Sequence, residues 1–311
     1  MDDLVHHGKG GIAKKFFAGP KKVGESHASK TISRVWRGDT RVMNPDLQGR
    51  VALITGGGTG LGLGIATELG LAGAKIAIAS RKETNLDKGL THLRSKNIDA
   101  FAVRADVRDA DEVAKAIDSV EAHFGVIDIL INNAAGNFVV PAERLSPHGW
   151  TSVVETVLNG TFFCSREIGR RLIQQGHPGS IINIIAAYAW TGGAGTVHSA
   201  SAKAGVLAMT KTLAVEWAQF GIRVNAVAPG PVETEGASRQ LWADPNEREH
   251  LLADIPLRRF GQVEEIAQAV QFLVSDQAGF ITGTTLTVDG GESLPHARLD
   301  AVNKLRKNSL S

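Results

Sequence analysis

From Arg50 onward, short unbroken runs of aliphatic and β-branched residues alternate with longer stretches whose apolar positions recur every three or four residues. The short runs fit strands covered on both faces, and the longer stretches fit helices lying against a sheet. Val51–Thr55, Lys75–Ser80, Ala100–Arg104, Ile127–Ile131, Ser180–Ile185, Arg223–Ala228 and Thr285–Val288 predict seven strands. Between them, Leu61–Ala72, Ala110–Phe124, Thr151–Gln175, Ser199–Phe220 and Val263–Ser275 predict helices. This order specifies an α/β fold with one doubly wound parallel sheet, helices on both faces and right-handed crossovers. Ligands of such sheets lie beyond the carboxyl ends of the strands, where the winding reverses.

Composition narrows the picture. The chain has 311 residues, of which 43% are hydrophobic, enough for one large core. No linker or repeat breaks the alternation, so residues 47–294 read as one domain. Residues 1–46 read as a basic, weakly periodic and mobile arm, and 295–311 as a tail. Thirty-four basic against 32 acidic residues leave a net charge of +2, too little for a sequence-wide field that would attract nucleic acid or an anionic membrane. No apolar run approaches the length of a spanning helix. The single cysteine, Cys164, excludes an intrachain disulfide and a cysteine zinc site, and it fits a reducing compartment. Asp2 and Asp3 argue against a secretory leader. These features predict a cytoplasmic protein, or one of the mitochondrial matrix if the arm is a targeting segment.

The first strand runs into Thr55-Gly56-Gly57-Gly58-Thr59-Gly60-Leu61-Gly62 and then a helical pattern. Glycines there let the backbone turn sharply and approach a pyrophosphate, whose charge the N–H groups of the following helix stabilise. A strand before and a helix after make this a Rossmann-type nucleotide turn. After the second strand, where an NAD site usually carries a carboxylate, the chain has Ser80-Arg81-Lys82. Arg81 and Lys82 either clamp a 2′-phosphate, which selects NADP(H), or form a solvated basic loop. Asp106, followed by Val107 after the third strand, either accepts from the adenine amino group or caps the helix starting near Asp109.

Four stretches together resemble the short-chain dehydrogenases/reductases: Thr55–Gly62, Asn132-Asn133-Ala134-Ala135-Gly136, Pro229-Gly230-Pro231-Val232 and Val288-Asp289-Gly290-Gly291. The resemblance covers about four fifths of the chain. It implies a nicotinamide cofactor touched by those segments and by Thr234, and a homotetramer. The family's usual Ser, Tyr and Lys are not all present. Around Lys203, Ser199 stands where the tyrosine is expected and Ala186 where the serine is expected, and Val157 takes the place of a supporting asparagine. The one tyrosine of the chain, Tyr188, lies fifteen residues before Lys203 (203 − 188).

That spacing, with Asn137-Phe138, Glu143–Pro147, Leu158–Thr161 and Ser199–Gly205, resembles the 2,4-dienoyl-CoA reductases of mitochondrial type. The resemblance implies that Tyr188 and the Asn137 amide hydrogen-bond a dienolate and that Lys203 holds the nicotinamide ribose, with Ser199 in the same network. It implies that Arg108, Phe138 and Ser146 meet an acyl-CoA. The plainer roles for those three are a salt bridge, core packing and a helix cap. Glu235–Leu252, with Trp242, reads as a substrate lid. His198, next to Ser199, is either a supporting residue or incidental, and no metal-ligand spacing occurs. Two other functions remain open: a carbonyl or alcohol reductase using Tyr188, and an NADP-binding regulator without catalysis.

Overall fold

The computed structural model describes residues 46–234 and 245–295, together with 302 and 305. The expected arm at 1–45, most of the expected tail and positions 235–244, including Trp242, lie outside the described residues. Seven parallel strands form one sheet in the order β3-β2-β1-β4-β5-β6-β7. They are β1 Val51–Thr55, β2 Lys75–Ser80, β3 Ala100–Arg104, β4 Ile129–Asn132, β5 Gly179–Ile184, β6 Ile222–Pro229 and β7 Thr285–Val288. Among the described residues, no helix is long and apolar enough to cross a membrane.

The helices are α1 Gly60–Leu71, α2 Glu83–Ser95, α3 Ala110–Phe124, α4 Pro147–Val154, α5 Gly160–Gln175, α6 Tyr188–Thr191, α7 Val197–Trp217, α8 Pro245–Asp254 and α9 Val263–Val274. Successive strand residues feed opposite layers, as a pleated sheet requires. Ala52 and Ile54 join Ile65, Leu69 and Val270 of α1 and α9 on one face. Val51 and Leu53 join Ile117 and Val120 of α3 and Ile168 of α5 on the other. Each fully buried Ile or Leu stabilises the fold by about 1.5–3 kcal/mol. Both faces are therefore anchored, and the rim at the carboxyl ends of the strands is left to carry chemistry.

Several boundaries differ from the pattern for local physical reasons. β4 begins two residues later than Ile127, because the Asp128 carboxylate accepts the Val51 N–H at 2.7 Å at the strand's entrance. The stretch expected as one helix from Thr151 starts instead at Pro147, where the Ser146 hydroxyl accepts the Gly149 N–H at 3.0 Å. It also contains a π-helical turn over Glu155–Asn159 before α5. Helix α2 was not expected. Its apolar signal is confined to one narrow stripe, with Leu86 and Leu93 buried and Leu90 packed beside them.

Candidate active site

Two cavities meet where the winding reverses between β1 and β4. The first, about 760 Å³, is lined by the glycine turn, by Arg81 and Lys82, by Val107 and by the chain leaving β4 at Asn133–Ala135. Its shape depends on missing side chains. A Cβ on Gly62 would lie 2.3 Å from the Gly56 carbonyl oxygen and 2.5 Å from Asn133 Nδ2. Gly56 and Gly60 have φ of +65° and +51°, in the left-handed region that favours glycine. Such a trough, bare of Cβ atoms and opening at the start of α1, fits a dinucleotide diphosphate.

Thr55 does not line this trough; it fastens it. Its hydroxyl donates to Ile131 O at 3.3 Å and accepts the N–H groups of Asn133 and Ala134, both at 3.0 Å. The Asn133 amide returns the link by donating to Thr55 O at 3.0 Å. The glycine turn and the Asn133–Ala135 segment are thus one hydrogen-bonded unit.

Asp106 does not cap the following helix. Arg108 takes its carboxylate in a fork, with Nε–O distances of 3.0 Å to both oxygens and a closest contact of 2.6 Å. Arg81 stands 3.8 Å from the same carboxylate. The hydrogen-bonded Arg108 guanidinium holds the Asp106 carboxyl below the usual carboxylate range. The cap of α3 is supplied by Asp109, whose Oδ1 accepts the N–H groups of Asp111 and Glu112. Asp106 therefore orients two arginines, one of which lines the trough. Asn85 and Lys88 of α2 and Thr156 of the π turn also line it, and none of them was found in the sequence. Lys88 was overlooked together with its helix, although the Leu86, Leu90 and Leu93 spacing was available as a signal.

The second cavity, about 810 Å³, lies against β5, α6 and α7. Gly136, Asn137, Tyr188, Ser199, Lys203 and the Pro229–Val232 turn line it. The Tyr188 hydroxyl lies 3.1 Å from Ser199 Oγ. Lys203, one helical turn after Ser199 on α7, donates to the Ile184 carbonyl at the end of β5. Burial pulls the Lys203 ammonium down to about 8. Burial pushes the Tyr188 hydroxyl above the ordinary phenol value, with Ser199 acting in the other direction. A phenol in that state stays protonated and can donate. Asn137 Oδ1 accepts the Phe138 N–H at 2.9 Å, which leaves its NH2 group to donate.

Leu61, Asn133, Ala135 and Thr234 line both cavities. Leu251 of α8 and Glu292 and Ser293 after β7 line the second; sequence reasoning singled out none of them except through the lid that contains Leu251. Arg108, Phe138 and Ser146 are engaged elsewhere: in the Asp106 fork, in a ring contact with His198, and in the cap of α4. Among the described residues no cluster of His, Cys, Asp or Glu has metal-binding geometry.

A family model described as enoyl-(acyl carrier protein) reductase matches residues 56–293. The chain is a short-chain dehydrogenase/reductase. This oxidoreductase is 43% identical over 80% of its length, and 98% of the relative's, to a probable 2,4-dienoyl-CoA reductase, (2E)-enoyl-CoA-producing, of Bacillus subtilis. It is 42% identical, over 83% of its own length and 86% of the relative's, to a peroxisomal 2,4-dienoyl-CoA reductase, (3E)-enoyl-CoA-producing, of Danio rerio. Among solved structures, it matches a short chain dehydrogenase of Bacillus anthracis with 47% identity and a TM-score of 0.73, covering 79% of this chain and 97% of that one. A gluconate 5-dehydrogenase of Burkholderia cenocepacia in complex with NADP and tartrate matches with 36% identity and a TM-score of 0.76, covering 80% and 96%.

Proposed function

We propose that this short-chain dehydrogenase/reductase uses NADPH to reduce a 2,4-dienoyl-CoA to a 3-enoyl-CoA. The observation that carries the reading is the grouping of Tyr188, Ser199, Lys203 and Asn137 around one cavity, with the phenol outside the family's usual place. The names of the Bacillus subtilis and Danio rerio relatives support the same substrate class. NADP(H) is supported by Arg81, Lys82 and Lys88 along the first cavity and by the NADP in the gluconate dehydrogenase. When bound, NADPH supplies the hydride, to C5 of the diene.

The residues then have distinct tasks. Hydride at C5 drives the electrons through C4–C3 and C2–C1 onto the thioester oxygen, so charge develops far from the carbon that is attacked. Donors aimed at that oxygen stabilise the transition state more than the ground state. Tyr188, kept protonated by burial, and the NH2 of Asn137 are the donors assigned to that oxygen. Ser199 orients the phenol, and Lys203, which donates to the Ile184 carbonyl, adds positive charge at the strand end and would hold the nicotinamide ribose. A proton taken up at C2, from water, completes the 3-enoyl product; uptake at C4 would give the 2-enoyl product named for the Bacillus relative.

The test follows NADPH oxidation with a 2,4-dienoyl-CoA and with a panel of ketones, identifying the product by chromatography. Turnover of the dienoyl ester alone is expected. Tyr188→Phe is expected to lose roughly a hundredfold or more in kcat, the low end for removing a positioned acid. Undiminished turnover in that variant, or turnover of ketones only, would reject the reading.

A further inference from the structure

The loop that carries Asn137 is not regular structure, and the peptide link to β4 does not by itself fix its far side. Two contacts do. Val140 N–H donates to the Gly195 carbonyl at 3.0 Å. The Phe138 ring lies on the His198 ring, with centroids 4.4 Å apart and planes at 35°. Gly195 has φ of +72°, and a Cβ there would lie 2.8 Å from Val139 Cγ1, so the close approach of the two loops needs the bare glycine.

His198 sits in the first turn of α7, peptide-bonded to Ser199, which in turn holds the Tyr188 hydroxyl. It is fully buried, and neither ring nitrogen makes a well-formed hydrogen bond among the described residues. Burial also lowers its pKa, opposed by a weak hydrogen bond with the Phe138 backbone. The ring is therefore neutral near pH 7 and meets the loop with a face as well as an edge. One face carries Phe138, the neighbour of Asn137.

We propose that His198 is a positioning residue: through its ring contact with Phe138 it docks the 137–140 loop onto the start of α7 and sets the span between the Asn137 amide and the Tyr188–Ser199 pair. What those donors act on rests on the reading in the preceding section, but the docking itself does not. The two donors come from separate loops after β4 and β5, so the distance between them is fixed only if one loop is fastened to the other. A donor displaced by about an ångström can lose a hundredfold in rate, which gives a single ring contact leverage over kcat without touching substrate.

The experiment compares His198→Ala with His198→Phe, which keeps a ring and removes the nitrogens. Hydrogen exchange at the Val140 amide is measured first, on the full chain without substrate. His198→Ala should speed exchange by roughly three- to tenfold, the equivalent of one aromatic contact, and His198→Phe should leave it unchanged. With a 2,4-dienoyl-CoA, His198→Ala should lower kcat about tenfold with NADPH affinity unaltered, and His198→Phe should restore kcat to within about threefold of wild type. In an Asn137→Ala background the His198→Ala loss in kcat should vanish. Unchanged Val140 exchange in the alanine variant, equal losses in both variants, or additive losses in the double variant would each overturn the docking role. A wild-type chain inactive on every dienoyl ester would overturn the proposed reaction alone, and the exchange measurement would still decide the inference.

Discussion

Lys203 offers a direct measure of what the site costs the fold. Burial lowers its ammonium from the ordinary lysine value of 10.5 to about 8. At about 1.36 kcal/mol per pKa unit, this means the folded chain carries a charge penalty of about 3 kcal/mol at pH 7. The sign follows from proton binding. Below pH 8 both folded and unfolded chains hold the proton, and the penalty is present in full. Between pH 8 and 10.5 the unfolded chain holds more protons than the folded one, so stability rises with pH through that window.

Lys203→Met keeps the volume and removes the charge, at the loss of the hydrogen bond to the Ile184 carbonyl. The variant should be more stable than wild type at pH 7 by about 1–3 kcal/mol, the lower figure allowing for the lost charged hydrogen bond. The gap should narrow by about 2 kcal/mol between pH 7 and pH 10 as the wild-type ammonium loses its proton. Urea denaturation of both proteins at the two pH values, without cofactor, measures each number. Activity should be lost in the same variant. A gap that stays constant with pH, or a variant less stable than wild type at pH 7, would refute the claim that Lys203 is held charged against its desolvation.

Two further outcomes follow from the first cavity. Gly62→Ala places a methyl against the Gly56 carbonyl and the hydrogen-bonded Asn133 amide, neither of which can yield, so it should cost about 1–3 kcal/mol of stability and weaken NADPH binding at least tenfold by fluorescence titration; wild-type affinity would show that the trough is not the diphosphate site. Removing the cations as Arg81→Ser with Lys88→Ala should lower the preference for NADPH over NADH by roughly tenfold or more, since charged hydrogen bonds contribute about 1.5–3 kcal/mol each. Steady-state kinetics with both cofactors reads the ratio, and an unchanged ratio would leave the phosphate without its proposed partners.

The sheet was legible because its signal is strong and repetitive. Buried parallel strands must be apolar throughout, and β1, β2, β3 and β7 fall on the expected residues. The glycine turn was legible because its chemistry needs the absence of side chains at fixed positions. Features decided by contacts between distant segments were harder to see. Helix α2 is mostly polar, and only the narrow stripe of Leu86, Gly89, Leu90 and Leu93 faces the core, so Lys88 went unnoticed with it. The π turn over Glu155–Asn159 shifts the apolar period by one residue, a step that is hard to tell from the ordinary alternation of three- and four-residue spacings. Asp106 could be placed at the rim from the end of β3. That Arg108 would occupy its carboxylate depends on two side chains choosing each other, which spacing does not reveal. The clustering of Tyr188 with Ser199 was readable only through resemblance, because α6 is a single turn with no periodicity to detect.

The four residues common to both cavities mean that a nucleotide in the first and an acyl chain in the second would share walls. Whatever fills the nucleotide trough becomes part of the floor on which an acyl chain would rest. An acyl site built on that floor would be complete only with the nucleotide in place, which would favour arrival in a fixed sequence and departure in reverse. A tethered molecule reaching from the trough across Leu61 and Thr234 would meet the second compartment at high local concentration, gaining from the linkage itself.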